Sequence, residues 1–161
     1  EVEQLRLIVE SKVDAIIFDE KRLKLAKDVM ACKDSNVKYF IGMDHKKDEN
    51  GILSFSKLLA DGKKLIDTNS SKYGDVNIDK DKLSVLIYTS GTTNNPKAVM
   101  LSQYNICSNV SAMTTLIKYE KDDKVLSFLP LHHTFECTAT YLFCFFIGFN
   151  ICYQRFSTNA F

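Results

Sequence analysis

The fold is decided by residues 83–102, which read LSVLIYTSGTTNNPKAVMLS. The apolar run over residues 83–88 predicts a buried strand, and the run over residues 98–101 predicts a second strand. Between the two lies a loop rich in Thr, Ser, Asn and Gly. Ser102 is placed to cap a helix that continues to Tyr119. The stretch therefore predicts a strand, a polar loop, a second strand and a helix in direct succession.

The residues before this stretch alternate between helix and strand patterns. Apolar residues recur at helical spacing over residues 2–9 and 25–30, and a short apolar run follows each set, at residues 13–18 and 37–41. Ser54 is placed to cap a further short helix. Alternation of this kind predicts an α/β fold with a mostly parallel sheet flanked by helices.

The residues after the stretch add a strand, a helix and another strand. Residues 124–129 predict a strand that runs into PLHHTFE at residues 130–136. The apolar run over residues 139–153 is shorter than the ~20 residues of a membrane span, and turn residues at 148–150 interrupt it. We interpret this run as a buried helix followed by a strand.

Composition excludes several classes of protein. The chain has 161 residues, 45% of them hydrophobic, with 21 Lys and Arg against 20 Asp and Glu. Such a chain is long enough for one folded domain and is neither disordered nor of low complexity. The near-zero net charge offers no field that would attract nucleic acid, so no nucleic-acid partner is predicted.

The cysteines and the N-terminus bear on the cellular compartment of the protein and on whether the chain is part of a longer one. Five cysteines are an odd number and none is spaced as Cys-x-x-Cys, so we expect reduced thiols that act as small core hydrophobes in a cytoplasmic protein. No cluster has the ligand spacing of a metal site, and none is predicted. The first residue is Glu1 and no signal peptide follows it, so we expect a segment of a longer polypeptide.

The loop after the first strand has a composition that suits a polyphosphate. Its hydroxyl donors are Thr89, Ser90, Thr92 and Thr93. Gly91 lets the backbone approach an anion closely, and Lys97 adds a positive charge. The loop matches neither the Walker A nor the dinucleotide-binding pattern. On chemistry alone, a plain hairpin closed by the turn formers at residues 94–96 remains an equal alternative.

Two motifs in this order resemble one family. YTSGTT at residues 88–93, followed by PK at 96–97 and VMLS at 99–102, resembles the signature of the AMP-forming acyl-CoA synthetases, which share their fold with luciferases and peptide-synthetase adenylation domains. LSFLPLHHTFE at residues 126–136 is similar to the long-chain fatty-acyl members. The resemblance implies that residues 1–161 are a partial N-terminal AMP-binding domain of the adenylate-forming enzyme fold.

Within that domain, residues 1–82 are expected to form an accessory α/β layer. Residues 83–161 carry the phosphate loop and the PLHHTFE motif. The implied activity is that of an acid–thiol ligase: ATP and a fatty acid give an acyl-adenylate and pyrophosphate, and coenzyme A then displaces AMP. ATP, Mg²⁺ bound by the complete enzyme, and coenzyme A as co-substrate are the implied ligands. Because the family's remaining segments lie downstream, the chain alone is expected to be inactive.

The resemblance also implies roles for individual residues. Thr89, Ser90, Gly91, Thr92, Thr93 and Lys97 would hold the ATP phosphates, with Lys97 also neutralising charge during the reaction. His133 would lie beside the reacting carboxylate; the alternative is a histidine satisfied within the core. Glu136 is either part of the motif's function or a helix-start charge. Four aromatic residues either line an acyl tunnel or pack in the core: Phe135, Tyr141, Phe145 and Phe146.

Departures from the family pattern keep other functions open. Asn94 and Ala98 stand where relatives usually have Gly, and Ala98 would be strained if its backbone needed positive φ. A non-catalytic nucleotide-binding or interaction module is therefore an alternative, as is an adenylating enzyme with an aryl or amino acid substrate. Peripheral membrane association of the complete enzyme and self-association of this chain are further possibilities.

Overall fold

The chain folds into two compact units. The computed structural model describes residues 2–68, 74, 76–89, 96–120 and 122–153. One unit ends at Val76 and the other begins at Asn77. Each unit has its own cluster of buried apolar side chains.

The first unit is a parallel three-stranded sheet with helices, as the alternating pattern predicts. The strand order is β1-β2-β3, and Phe40 of the middle strand pairs with Ile16 on one side and with Ile52 on the other. Its elements are α1 (Val2–Ser11), β1 (Ala15–Phe18), α2 (Leu23–Ala31), β2 (Tyr39–Gly42), β3 (Ile52–Ser54) and α3 (Phe55–Asp67). Strand β3 is missing from the sequence-based prediction because its three residues are too few to show a period.

The core of the first unit lies between α2 and the sheet. Ala26 and Val29 of α2 are each 1% exposed and belong to one cluster with Phe18, Phe40 and Ile52. The helical spacing of the two α2 residues puts them on one face of the helix, which accounts for the amphipathic pattern in the sequence.

Helix α3 begins where Ser54 predicts. The Ser54 hydroxyl oxygen accepts a hydrogen bond from the Lys57 backbone N–H at 3.3 Å and donates to the His45 carbonyl oxygen at 2.6 Å. The helix has 13 residues and is longer than the short helix predicted.

The second unit contains an antiparallel hairpin, a parallel strand pair and three helical segments. Strand β4 pairs with β5 antiparallel, and β6 pairs with β7 in parallel. Its elements are β4 (Leu83–Thr89), β5 (Lys97–Ser102), α4 (Gln103–Leu116), β6 (Lys124–Ser127), a π-helical segment (Glu136–Leu142), α5 (Phe143–Ile147) and β7 (Asn150–Tyr153). Two of the three sheets in the described part of the chain are thus parallel, in keeping with the predicted α/β class.

The antiparallel pair has a simple cause. Only residues 90–96 separate β4 from β5, whereas a parallel crossover takes about a dozen residues or more. The prediction that residues 83–88 form a buried strand is half right: β4 forms, but its residues are half-buried or exposed, with Leu83 at 46%.

The ends of two predicted elements differ from the structure. Helix α4 ends at Leu116 rather than at Tyr119, because Ile117 has an extended backbone. Strand β6 ends at Ser127 rather than at residue 129, so Phe128 and Leu129 lie outside the strand. Ser102 caps α4 as predicted, with Asn105 completing a reciprocal capping box.

The second core lies between α4 and α5. Val110, Phe143 and Cys144 are its buried members, and the Phe143 ring meets the Phe149 ring edge-to-face at 6.3 Å. The apolar run at residues 139–153 is helical and then forms a strand, as predicted, with the turn at Gly148 in the left-handed region at φ 87°. The prediction that this helix is buried is wrong for one side of it, because Phe145 and Phe146 are exposed. Across the described ranges, no helix is both long enough and apolar enough to cross a bilayer.

The cysteines differ from the prediction. Cys144 is buried, but Cys107 and Cys152 are exposed, and Cys32 and Cys137 are half-buried. The expectation of five core thiols is therefore wrong for most of them. Apolar neighbours in sequence do not report burial, because a helix or strand carries apolar neighbours on more than one face.

Candidate functional site

The hairpin brings two of the predicted phosphate-binding residues together. Thr89 ends β4 and pairs with Lys97, which begins β5. The Thr89 hydroxyl donates a hydrogen bond to the Lys97 carbonyl oxygen at 3.4 Å, and both residues are exposed. Residues 90–96 connect the two strands, so Thr89 and Lys97 flank the two ends of the polar loop.

Lys97 carries a positive charge at the exposed start of β5. No carboxylate forms an ion pair with its ammonium group among the residues described. Ser90, Gly91, Thr92 and Thr93 lie outside the described residues, and their predicted contacts to phosphate stay predictions. An exposed cation with no ion-pair partner at the end of a hairpin can attract an anion without first breaking a salt bridge.

Ala98 is free of the strain that its place in the motif suggested. It lies within β5 and pairs with Tyr88 of β4. In the described part of the chain, positive φ outside glycine occurs at Lys12 and Asn50. A methyl group at Ala98 therefore costs no backbone strain. The other departure, Asn94, lies outside the described residues.

His133 lies in a turn at the start of the helical segment that follows β6. Its backbone N–H donates to the Pro130 carbonyl oxygen at 2.8 Å, and its carbonyl oxygen accepts from the Cys137 N–H at 3.0 Å. The side chain is exposed, so the alternative of a histidine satisfied within the core is wrong. The neighbouring His132 is exposed as well.

One hydrogen bond defines which nitrogen of His133 carries the proton. The Phe135 backbone N–H donates to Nδ1 of His133 at 3.3 Å. A nitrogen that accepts a hydrogen bond is unprotonated, so the neutral ring carries its proton on Nε2. The exposed ring therefore presents an N–H donor to a ligand, and this is the polarity that a carboxylate or carbonyl oxygen needs.

His133 lines a groove of about 660 Å³ between α4 and the π-helical segment. From α4 the groove takes Asn109, Ala112, Met113, Leu116 and Ile117, and from the other side it takes Thr134, Phe135, Thr138 and Ala139. We call this the histidine groove. Its walls are largely apolar, and the exposed imidazole supplies a polar group to them.

A larger groove lies on the other side of the π-helical segment. It has a volume of about 850 Å³ and takes Val85 and Ile87 from β4, which point to the same face of the strand. Phe145 and Phe146 line it from α5, whereas Phe135 lines the histidine groove and Tyr141 lines neither. The remaining walls are Leu101, Gln103, Ile106, Cys107, Val110, Ser111, Cys137, Thr138 and Leu142. We call this the apolar groove.

The apolar groove changes the interpretation of the aromatic residues. Phe145 is 77% exposed and Phe146 is 67% exposed, so neither packs in the core of this chain. The apolar residues of α4 are also divided between the two grooves, because Ile106 and Val110 line the apolar groove while Met113 lines the histidine groove. The polar wall residues Gln103, Asn109 and Ser111 were not predicted, since a polar residue on a helix has no sequence signal of its own that it faces a groove.

Glu136, the last residue of the PLHHTFE motif, is deeply buried. It is 1% exposed, and its Oε1 atom has no hydrogen-bond partner in the described structure. Glu136 does lie in the first turn of the π-helical segment, as the helix-start alternative predicts, although its side chain is buried. Burial first, and then the nearby Glu136 charge, raise the pKa of the Cys144 thiol. Cys144 consequently stays protonated and unreactive near neutral pH.

No metal site emerges from the residues described. Within these ranges, no group of three or more His, Cys, Asp or Glu side chains is arranged to hold a metal ion. Mg²⁺ is usually held by one or two carboxylates together with the phosphates of the substrate, so the Mg²⁺ that the resemblance implies stays a prediction for the complete enzyme.

The comparison with known families accords with this arrangement. The model of the AMP-binding enzyme family matches residues 3–160. The chain belongs to the AMP-binding enzyme family. Because the match spans nearly all of the sequence, both units are parts of the AMP-binding enzyme fold. The two motifs that carried the resemblance lie within the matched region.

The curated relatives include an acyl-activating enzyme and ligases named for two different acids. Probable acyl-activating enzyme 16, chloroplastic, of Arabidopsis thaliana is 38% identical over 73 residues, which cover 45% of this chain and 10% of that protein. The long-chain-fatty-acid–[acyl-carrier-protein] ligase AEE15, chloroplastic, of the same plant is 33% identical over 95 residues, covering 56% and 13%. Malonate–CoA ligase ACSF3, mitochondrial, of Xenopus laevis is 46% identical over 54 residues, covering 34% and 9%.

Solved structures of the family share the fold. The anthranilate CoA ligase AuaEII in complex with anthranoyl-AMP superposes with a TM-score of 0.74 at 14% identity, covering 96% of this chain and 28% of that one. ATP-bound MatB from Rhodopseudomonas palustris gives 0.66 at 22% identity, with coverage of 96% and 28%. The AMP-binding chain thus spans little more than a quarter of these enzymes and about a tenth of the curated relatives.

Proposed function

We propose that this chain is the part of an AMP-forming acid–thiol ligase that binds the ATP phosphates and contributes walls of the acid site. The observation that carries the proposal is the exposed Lys97 opposite Thr89, with no ion-pair partner among the described residues, at the mouth of the polar loop. Membership of the AMP-binding enzyme family supports it.

In the first step of the proposed reaction, a carboxylate oxygen attacks the α-phosphorus of ATP. The new O–P bond forms as the bond to pyrophosphate breaks, and the product is an acyl-adenylate. Lys97 and the hydroxyl-rich loop would hold the phosphates and offset their charge, which is the main contribution that a protein makes to phosphoryl transfer. In the second step the sulfur of coenzyme A attacks the acyl carbon, and AMP leaves.

His133 would orient the acid in this scheme. Its Nε2–H can donate to an oxygen of the carboxylate, while Nδ1 stays bound to the Phe135 N–H. The ring thus needs no change of tautomer between binding and reaction.

For the acid, we propose a fatty acid with a long alkyl chain. The apolar groove has the volume and the wall chemistry for an alkyl chain, and one relative is named a long-chain-fatty-acid ligase. Another relative is named for malonate, a short and charged acid. The groove favours the former, because a dicarboxylate would gain little from its apolar walls.

The test is acid-dependent release of pyrophosphate by the complete enzyme that carries this chain. With ATP and coenzyme A, palmitate should give pyrophosphate and a thioester, and malonate, an aryl acid or an amino acid should give much less. Release that depends only on malonate, an aryl acid or an amino acid would contradict the fatty-acid assignment and leave the ligase assignment standing. The 161-residue chain alone is expected to show no turnover.

The alternative of a non-catalytic module predicts a different result. It loses one motivation, because Ala98 lies in regular strand without strain. If the complete enzyme kept its pyrophosphate release after Lys97→Ala, the loop would have no role in catalysis, and the non-catalytic interpretation of the loop would gain support.

A further inference from the structure

Two of the five cysteines share the apolar groove. Cys107 projects from α4 and Cys137 from the π-helical segment, and both line the groove. Cys107 is exposed and Cys137 is half-buried, so both thiols are open to a reagent that enters the groove. Cys152 is also exposed but does not line the groove, and Cys144 is buried. The chain therefore contains its own controls for a reaction directed by the groove.

We propose that the apolar groove is a site of S-acylation by fatty-acyl thioesters at Cys107 or Cys137. The alkyl chain occupies the groove, and the deprotonated cysteine sulfur attacks the thioester carbonyl carbon. A new carbon–sulfur bond forms, the bond to the original thiol sulfur breaks, and the released thiolate takes up the proton. The exchange needs no oxidant, reductant or ATP.

Two properties of the groove walls, their apolar surface and their two thiols, indicate which ligand the groove would bind. Val85, Ile87 and Phe146 offer apolar surface, so binding strengthens by roughly fourfold for each methylene group that is buried. The two thiols then stand next to a bound electrophile at a high effective concentration. An acyl thioester combines an alkyl chain with an electrophilic carbon and is also the product of the proposed ligase reaction. In taking this groove as the acyl site, the inference rests on the proposed function.

The experiment uses the 161-residue chain with palmitoyl-CoA and, in parallel, acetyl-CoA. Peptide mass spectrometry should find palmitoyl groups on Cys107 or Cys137 at about ten times the level on Cys152 or more, because several methylenes are buried, and hydroxylamine should remove them. Acetyl-CoA should show no such preference. Equal palmitoylation of Cys152, or no palmitoylation of either groove cysteine, would overturn the proposal.

A variant and a binding measurement separate this proposal from the proposed function. Phe146→Ser alters an exposed groove wall and should lower palmitoylation of the groove cysteines several-fold, whereas acetylation should not change. Displacement of a fluorescent fatty acid by palmitate measures occupancy of the groove without covalent chemistry. If palmitate displaces the fluorescent fatty acid but neither groove cysteine is palmitoylated, the S-acylation proposal is wrong and the groove can still bind the fatty acid of the proposed function. If neither displacement nor palmitoylation is seen, the groove also has no part in the proposed function.

Discussion

At the scale of single residues, Lys97 is the charge on which nucleotide binding depends. Its ammonium group is exposed and has no ion-pair partner within the described ranges. Lys97→Ala should weaken binding of ATP by the 161-residue chain by about ten- to a hundredfold, because a hydrogen bond from a charged donor contributes about 1.5–3 kcal/mol. Isothermal titration with ATP measures this, and Lys124→Ala, at the exposed start of β6, is the matched control. Equal losses in the two variants would show that only net charge matters.

His133 allows its two nitrogens to be tested separately. His133→Asn can still accept the Phe135 N–H but lacks the outer donor, and His133→Gln keeps a donor near the Nε2 position but loses the inner acceptor. Asn should therefore preserve the unfolding free energy of the chain and abolish most activity of the complete enzyme. Gln should cost about 1 kcal/mol of stability, as loss of a helix cap does, and keep more activity.

Urea unfolding of the chain and pyrophosphate release by the complete enzyme measure the two effects. His132→Gln, at the neighbouring exposed histidine, is the control and should change neither quantity. If His133→Asn and His133→Gln lost activity equally, the outer donor would not be the group that meets the acid.

At the scale of elements, Asp48 ties the β2–β3 connection to the start of α3. Its carboxylate accepts from the Lys57 ammonium and, at 2.8 Å, from the Ser54 backbone N–H, and these bonds lower the pKa of Asp48. Since the folded pKa lies below the unfolded value, the stabilisation is present above about pH 4 and is lost as the pH falls through the folded value. Asp48→Asn should therefore flatten the acid dependence of stability in the first unit.

Urea midpoints followed by circular dichroism at about pH 6 and about pH 3 measure this dependence. Asp34→Asn is the control, because Asp34 is exposed beyond the end of α2. An unchanged acid dependence in Asp48→Asn would show that other carboxylates dominate it.

Two glycines in helical segments should respond to alanine with opposite signs. Gly148 ends α5 with φ 87°, a conformation that alanine adopts only with strain, so Gly148→Ala should destabilise the second unit by about 1 kcal/mol. Gly62 lies inside α3 with open space around its Cβ position, and Gly62→Ala should stabilise the first unit by about 0.5–1 kcal/mol. Thermal unfolding of both variants tests the pair, and a stabilised Gly148→Ala would contradict the left-handed cap.

At the scale of the whole molecule, exposed apolar surface favours self-association of the chain. Phe145, Phe146 and Met100 are each at least 66% exposed, and large exposed apolar patches are uncommon on monomers. The 161-residue chain should therefore sediment as a dimer or larger species at micromolar concentration. Replacing Phe145 and Phe146 by Ser should shift it toward monomer, whereas replacing exposed Lys82 by Ser should not. Sedimentation of the unaltered chain as a monomer would contradict this.

Local order could be predicted from the sequence wherever a pattern reports on its own surroundings. The helical spacing of Ala26 and Val29, the capping hydroxyls of Ser54 and Ser102, and the turn at Gly148 each correspond to a feature of the structure. The motif over residues 88–102 likewise predicted membership of the AMP-binding enzyme family. These signals are reliable because their physical cause lies within a few neighbouring residues.

Only the tertiary structure decided which chemistry-bearing groups are exposed. It buried Glu136, exposed His133 and directed Cys107 and Cys137 into one groove, and no spacing in the sequence reports any of these outcomes. It also divided the apolar face of α4 between two grooves. The reason is physical: a repeating pattern specifies the period of a helix or strand, whereas burial depends on which distant elements pack against each face.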